Sequence, residues 1–161
     1  MPVGHHLSFV FENRETVLFQ IQEMCRAERI AADAKVQDEI DVYNALLPGP
    51  RELSATLFIE IEDMAKIKPM LDRLMGIDSG QCVWLQVGRE FAVPGEFEAG
   101  HSDEEKGKLA AVHFVRFRFP PEAARAFATA EVHLVVDHPA ERARTRLSDE
   151  TRAELARDLA R

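Results

Sequence analysis

The sequence predicts an α+β fold: about five strands in an antiparallel or mixed sheet, helices packed mainly on one face, and a long central helix near the N-terminus. Three observations lead there. Several candidate strands alternate apolar and polar residues, so each has one dry face, as half-solvated antiparallel sheets do and doubly covered parallel sheets do not. Helical stripes are interleaved with those strands. The stretch Phe11–Ala32, FENRETVLFQIQEMCRAERIAA, is apolar on two opposite sides. At about 100° per residue, Val17, Leu18, Ile21, Met24, Cys25 and Ala32 gather on one side, with Phe19 and Ile30 nearly opposite. Only Glu15, Gln22 and Arg29 form a stripe without apolar neighbours, so the helix reads as covered on two sides.

The elements follow in order. Leu7, Phe9 and Phe11 alternate with Ser8, Val10 and Glu12, a short strand feeding the helix, for which Asn13 is the N-cap. Val36, Ile40, Tyr43 and Leu47 mark a second, amphipathic helix that Pro48-Gly49-Pro50 ends. Leu53 to Glu62 is a strand with Ala55, Leu57, Ile59 and Ile61 on its dry face. Met64, Ile67, Leu71 and Leu74 give a helix closing at Gly76; Pro69 makes it start near Lys68 or kink. Cys82–Val87 is the next strand. Gly88 to Gly107 holds four glycines, a proline and six acidic residues, and reads as a long exposed connection, with a short strand at Glu90–Val93 and an acidic, glycine-rich loop at about 95–108. Leu109–Phe119 is the longest strand candidate. A short helix, Glu122–Ala128, leads to a strand at Val132–Val136, and a helix capped by Ser148 closes the chain.

With 161 residues, 46% hydrophobic and 30% charged, the chain (1–161) reads as a single domain able to bury about two-thirds of its unfolded surface. A net charge of −8 excludes general binding to nucleic acid or anionic membrane, although Arg142, Arg144 and Arg146 make a local basic cluster fit for one anion. Cys25 and Cys82 form no CxxC and read as reduced core thiols. No signal region and no apolar run of about 20 residues is present, which sets the expectation of a cytoplasmic bacterial protein.

Nucleotide-binding glycine signatures and the GxSxG elbow are absent. Glu98 and His101 make an ExxH, but Gly100 argues against the helix that a di-iron site would need. His113, mid-strand among Val115 and Phe117, is either a hydrogen-bonded core histidine or a proton carrier or metal ligand. Arg116 and Arg118 share the opposite face, as solvated residues, an anion site or partners of the helix carboxylates. Asp137 and His138 sit where a strand meets a turn, a place for working residues and for ordinary turn-formers alike. Arg14, Glu23, Arg26 and Glu28 fall on covered sides of the helix and need partners from other elements. Glu28, between Met24 and Ala32, reads as a structural buried ion pair or as a functional carboxylate. The candidate polar site is therefore Glu12, Arg14, Glu23, Arg26, Glu28, His113, Arg116, Asp137 and His138. No cofactor is called for; a metal ion would find its ligands in Glu12, Glu28 and His113.

FENRETVLFQIQEM with the following RAERI, then YNALLPGPRELSATLFIEI, VWLQVG, AVHFVRFRF and VDHPAERARTRLSDETR, resemble in that order a bacterial family catalogued as domain-of-unknown-function family 3501. The resemblance runs over nearly the whole chain and carries no established activity. It implies a gene neighbourhood of rubrerythrin-like and iron–sulfur proteins, and an N-terminal segment ahead of Val3 that this chain does not carry, which leaves the completeness of the first strand open. The matching positions are Glu12, Asn13, Arg14, Gln20, Gln22, Glu23, Arg26, Glu28, His113, Arg116, Asp137 and His138. The leading expectation is an accessory or binding protein for a rubrerythrin-like or iron–sulfur partner in an oxidative-stress or redox module. An enzyme or metal-binding protein using Glu12, Glu28 and His113 is the alternative, and a homodimer built on the two-sided helix is the third.

Overall fold

The computed structural model describes residues 1–99, 102–103 and 108–161. The chain runs β1 (Pro2–Val3), β2 (Leu7–Glu12), α1 (Arg14–Ala27), α2 (Asp33–Asn44), β3 (Glu52–Ile59), a 3-10 turn (Met64–Lys66), α3 (Ile67–Arg73), β4 (Val83–Val87), β5 (Phe91–Phe97), β6 (Ser102–Asp103), β7 (Lys108–Leu109), β8 (Val112–Arg118), α4 (Pro121–Phe127), β9 (Val132–His138), β10 (Glu141–Arg146) and α5 (Asp149–Leu159). Eight strands form one sheet in the order β1-β2-β3-β8-β5-β4-β9-β10, and β6 with β7 makes a separate pair. Every pairing is antiparallel.

Right-handed twist accumulated over eight strands brings the sheet's two edges together. β1 comes up against β10, and among the described residues one side chain hydrogen-bonds across the seam. The Glu141 carboxylate, 5% exposed, accepts the His5 backbone amide at 2.6 Å and lies 3.1 Å from His6 Nδ1. Gly4 makes room for it: its φ is +72°, and a Cβ there would collide with that carboxylate. The result is nearly a barrel. Its interior is filled by the inward residues of each strand, among them Phe9, Leu57, Leu85, Phe117 and Leu134, all at or below 1% exposure.

The helices take three stations rather than one face. One end of the barrel is covered by α4 and α5, where Phe127 meets Phe119 edge-on at 5.5 Å and Leu155 and Leu159 join the core. At the other end sit Leu74 and Ile77, from α3 and the turn after it. α1 and α2 form a hairpin on the outer wall, where Val17, Ile21 and Leu46 pack with Ile40, Tyr43 and Phe114.

Several expectations are corrected. The sheet has eight strands, not about five. β1 is two residues long, and β5 runs straight through Pro94-Gly95, which composition marks as loop. Gly95 is required there because a Cβ would lie 2.8 Å from Val115 Cγ2. β10, ERARTR, alternates charge with small residues rather than with large apolar ones. Of the rest of the expected 95–108 loop, Ser102–Asp103 and Lys108 belong to the short pair β6–β7, while 100–101, with His101 of the ExxH, and 104–107 lie outside the described residues. A sheet curled nearly into a barrel fills its concave side with its own side chains, so its helices take the two ends and the outer wall, and the one-face expectation falls with the strand count.

α1 is not central either. Its one packed side holds Val17 and Ile21, while Phe19 is 63% and Leu18 52% exposed. It ends at Ala27 in a Schellman turn: Ile30 N–H reaches Cys25 O at 2.8 Å, Arg29 N–H reaches Arg26 O at 3.3 Å, and Arg29 adopts φ +54°. Glu28 is the exposed C-cap of that turn, so the buried ion pair expected for it is not formed.

Candidate functional site

The junction of β2 and α1 gathers the polar residues that sequence singles out first. Asn13 leaves the strand with extended backbone and caps α1 in a capping box: its side chain accepts the Thr16 amide at 3.0 Å, and Thr16 Oγ1 accepts the Asn13 amide at 2.9 Å. That exit lays the first turns of α1 over the end of β2. Glu12, Thr16 and Gln20, four residues apart, then line up. Thr16 Oγ1 donates to Glu12 Oε2 at 2.6 Å, and Gln20 Nε2 to Oε1 at 2.9 Å. Thr56, facing outward from β3, donates to the same Oε1 at 2.7 Å. Glu12 is 4% exposed, and among the described residues no cation pairs with it. Its charge is met by neutral donors alone, which ties α1 to two strands and leaves an uncompensated negative centre in the wall.

Beside that centre the outer face of the sheet is open. Val10 (41% exposed), Phe58 from β3 and Phe19 from α1 line, with Glu12, Glu15, Thr16 and Gln20, a groove of about 510 Å³. This lies within the size range of ligand pockets, and its makeup, mostly apolar with a few convergent polar groups, is what such pockets share. Val10, Phe58 and Phe19 are apolar residues at positions whose neighbours on the same face, such as Ser8 and Glu60, are polar. That mismatch is the sequence signal for the groove; Thr56 carries no such signal.

The other candidates are dispersed. Arg116 is committed to structure: it donates to Glu52 at 2.7 Å and to the Ala45 carbonyl at 2.8 Å, fastening the end of α2 to β8. Arg118 shares Glu52, at 2.9 Å, and reaches Glu96 at 2.7 Å. Burial opposes ionisation of Glu52, but the Gly49 amide and the two guanidinium groups outweigh it and hold its carboxyl below the usual carboxylate value. Arg116, Arg118 and Glu96 border a second cleft, of about 320 Å³, lined in part by Phe97, Phe114 and Leu46.

Glu23 and Arg26 pair with each other at 2.8 Å, three residues apart on the solvent side of α1. Their hydrogen bond lowers the Glu23 carboxyl and raises the guanidinium. Arg14 is exposed and borders shallow clefts with Asp158 and Arg161 at the end of α5. Asp137 is exposed and pairs with Arg142 at 3.0 Å.

The two histidines face into or close the barrel. His138 Nδ1 accepts the Ala140 amide at 3.1 Å, so its proton sits on Nε2, which donates to Met75 O at 2.9 Å and pins the segment after α3 to the β9–β10 turn. His113, 1% exposed, bonds through Nε2 to Ala110 O at 2.7 Å, has Asp78 3.8 Å from Nδ1, and meets the Phe97 ring edge-on. Glu12 on the outer wall, His113 inside and Glu28 at the exposed end of α1 are therefore not brought together. Among the described residues no three His, Cys, Asp or Glu side chains cluster as metal ligands would. No helix there is long and apolar enough to cross a membrane.

The model of a family described as "Protein of unknown function (DUF3501)" matches residues 1–159. The chain is also similar to a protein of unknown function from Burkholderia pseudomallei K96243 whose crystal structure was determined at 1.90 Å. The two are 33% identical, with a TM-score of 0.89 over 99% of this chain and 82% of that one. No curated protein matches the chain.

Proposed function

Because the chain belongs to the DUF3501 family, which assigns no activity, we propose a function from the site itself: a binding protein whose groove between α1 and the outer sheet face receives an apolar group of a partner. The observation that carries this is Phe19. It is 63% exposed on a helix whose other side is packed, directly beside a carboxylate held by Thr16, Gln20 and Thr56. A solvated helix face has no use for an aromatic ring there, whereas a recognition surface does. The partner class is a rubrerythrin-like or iron–sulfur protein, which rests on the resemblance alone; what the structure adds is the surface.

The test is co-purification of tagged protein from its host under anaerobic and oxidising conditions. Wild type recovers a rubrerythrin-like or iron–sulfur protein, and Phe19→Asp, which leaves the core intact, does not. Equal recovery by both, or no association under either condition, overturns the reading.

A further inference from the structure

Resting on that binding reading, we propose that the groove recognises a lysine or arginine side chain flanked by apolar residues on the partner protein. The charges of the groove point this way. Among the described residues its ionisable groups are the carboxylates of Glu12 and Glu15, and no lysine or arginine lines it. Glu12 is buried and has its lone pairs engaged by neutral donors, so its charge is not cancelled by any cation among the described residues. Glu15 is exposed one turn away at the rim. A long cationic side chain suits such a place: its methylenes lie along Val10, Phe19 and Phe58, its head draws on the two carboxylates, and aromatic rings attract it further.

The same charges select among occupants. A second copy of this chain, joined through the groove about a twofold axis, would bring the carboxylates of both copies into one apolar contact. An anionic or neutral apolar segment would cover the exposed Glu15 carboxylate and lie against buried Glu12 without returning anything to either charge. A cationic partner is also steered toward a chain of net charge −8.

The experiment titrates the protein with an acetylated, amidated peptide of sequence Leu-Lys-Leu-Leu and with versions carrying norleucine or glutamate in place of the lysine. Amide resonances of Thr16, Phe19 and Gln20 report the binding. The lysine peptide shifts these resonances and binds about tenfold more tightly than the norleucine peptide at low salt; the glutamate peptide does not bind. Glu15→Lys, on the exposed rim, removes the lysine preference, and Glu12→Gln reduces it. Equal affinity for the lysine and norleucine peptides overturns the proposal. So does a shift pattern confined to the Arg116 cleft, or a concentration-dependent dimer in sedimentation that Phe19→Asp abolishes. Failure of the redox partner to co-purify while the lysine preference holds counts against the partner class only. Partner recovery that is indifferent to Glu15→Lys counts against the cationic contact only.

Discussion

Glu141 is where a single substitution should be felt across the whole fold, because among the described residues it is the side chain that bridges the seam, by hydrogen bonds from His5 and His6 to the first residue of β10. Glu141→Ala removes two hydrogen bonds to an ionised acceptor, each worth about 1.5–3 kcal/mol when the remaining partner cannot reach water. His6 is 30% exposed at this point and can be rehydrated, so the lower end of that range applies. A total near 3 kcal/mol follows. For a domain of this size that lowers Tm by roughly 6–12 °C. Glu141→Gln keeps a neutral acceptor for the His5 amide and should cost only about 1 kcal/mol.

The effect must depend on pH with a definite sign. Burial opposes ionisation of Glu141, but the His5 amide, the His6 hydrogen bond and the histidine charges prevail and hold its carboxyl below the ordinary value of 4.5. A depressed carboxylate contributes stability that is fully present above the unfolded value and is lost as pH falls through the folded one. Urea denaturation of wild type and Glu141→Gln at pH 7, 5 and 3 should show the gap narrowing over the acid limb. Gly4→Ala supplies a second arm, since its Cβ would strike this carboxylate. It should destabilise wild type by more than it destabilises Glu141→Ala, a coupling readable in a double-mutant cycle. A gap that stays constant with pH, or additive behaviour of Gly4→Ala and Glu141→Ala, would refute the seam as described.

Three further outcomes are expected. Arg29→Gly relieves a left-handed residue at φ +54° in the α1 Schellman turn and should raise stability by about 0.5–1 kcal/mol in the same urea assay. Glu12→Ala strands the Thr16, Thr56 and Gln20 donors and should cost about 2–4 kcal/mol, whereas the double change Glu12→Leu/Thr56→Val should recover part of that loss; no recovery would place the cost elsewhere. Glu52→Ala frees Arg116 and Arg118, both partly solvated, and should cost about 1–2 kcal/mol after allowance for screening. Because the Glu52 carboxyl is depressed, its contribution should fade on acidification below the ordinary carboxylate value, as titration of wild type against the variant would show.

Much of the fold was legible in local pattern. The two-residue alternation of Leu53–Ile59 and of the residues around His113 placed Leu57, Val115 and Phe117 inside, and Asn13 and Ser148 marked the starts of α1 and α5 where their side chains do cap. Strand number was not legible, since it depends on partners rather than on the strand itself. Pro94-Gly95 breaks a pattern but not a ladder, and Arg142, Arg144 and Arg146 occupy a wet outer face that hydropathy cannot tell from a loop. Glu28 was misread for a related reason: helical periodicity was extended to Ala32, five residues past the end of α1 at Ala27, which put a solvated cap residue on a stripe that no longer existed. Glu12 was legible as a candidate because it opens the helix motif, but its donor Thr56 comes from 44 residues away.

The placement of β8 between β3 and β5 also governs how the chain comes together during synthesis. Strands β1 to β3 can pair as soon as residue 59 has emerged, and β4 with β5 forms a local hairpin, yet the outward edge of β3 stays bare until the ribosome has delivered Val112–Arg118. Until then two half-sheets with raw edges coexist, the state in which nascent β proteins are most prone to stick to one another. Arrival of β8 joins them along both its sides at once, and everything downstream, β9, β10 and the closing contact with His5, is laid onto an already unified sheet. The rate of folding should therefore be set by β8, and substitutions at Val115 or Phe117 should slow refolding more than equally destabilising ones in α5.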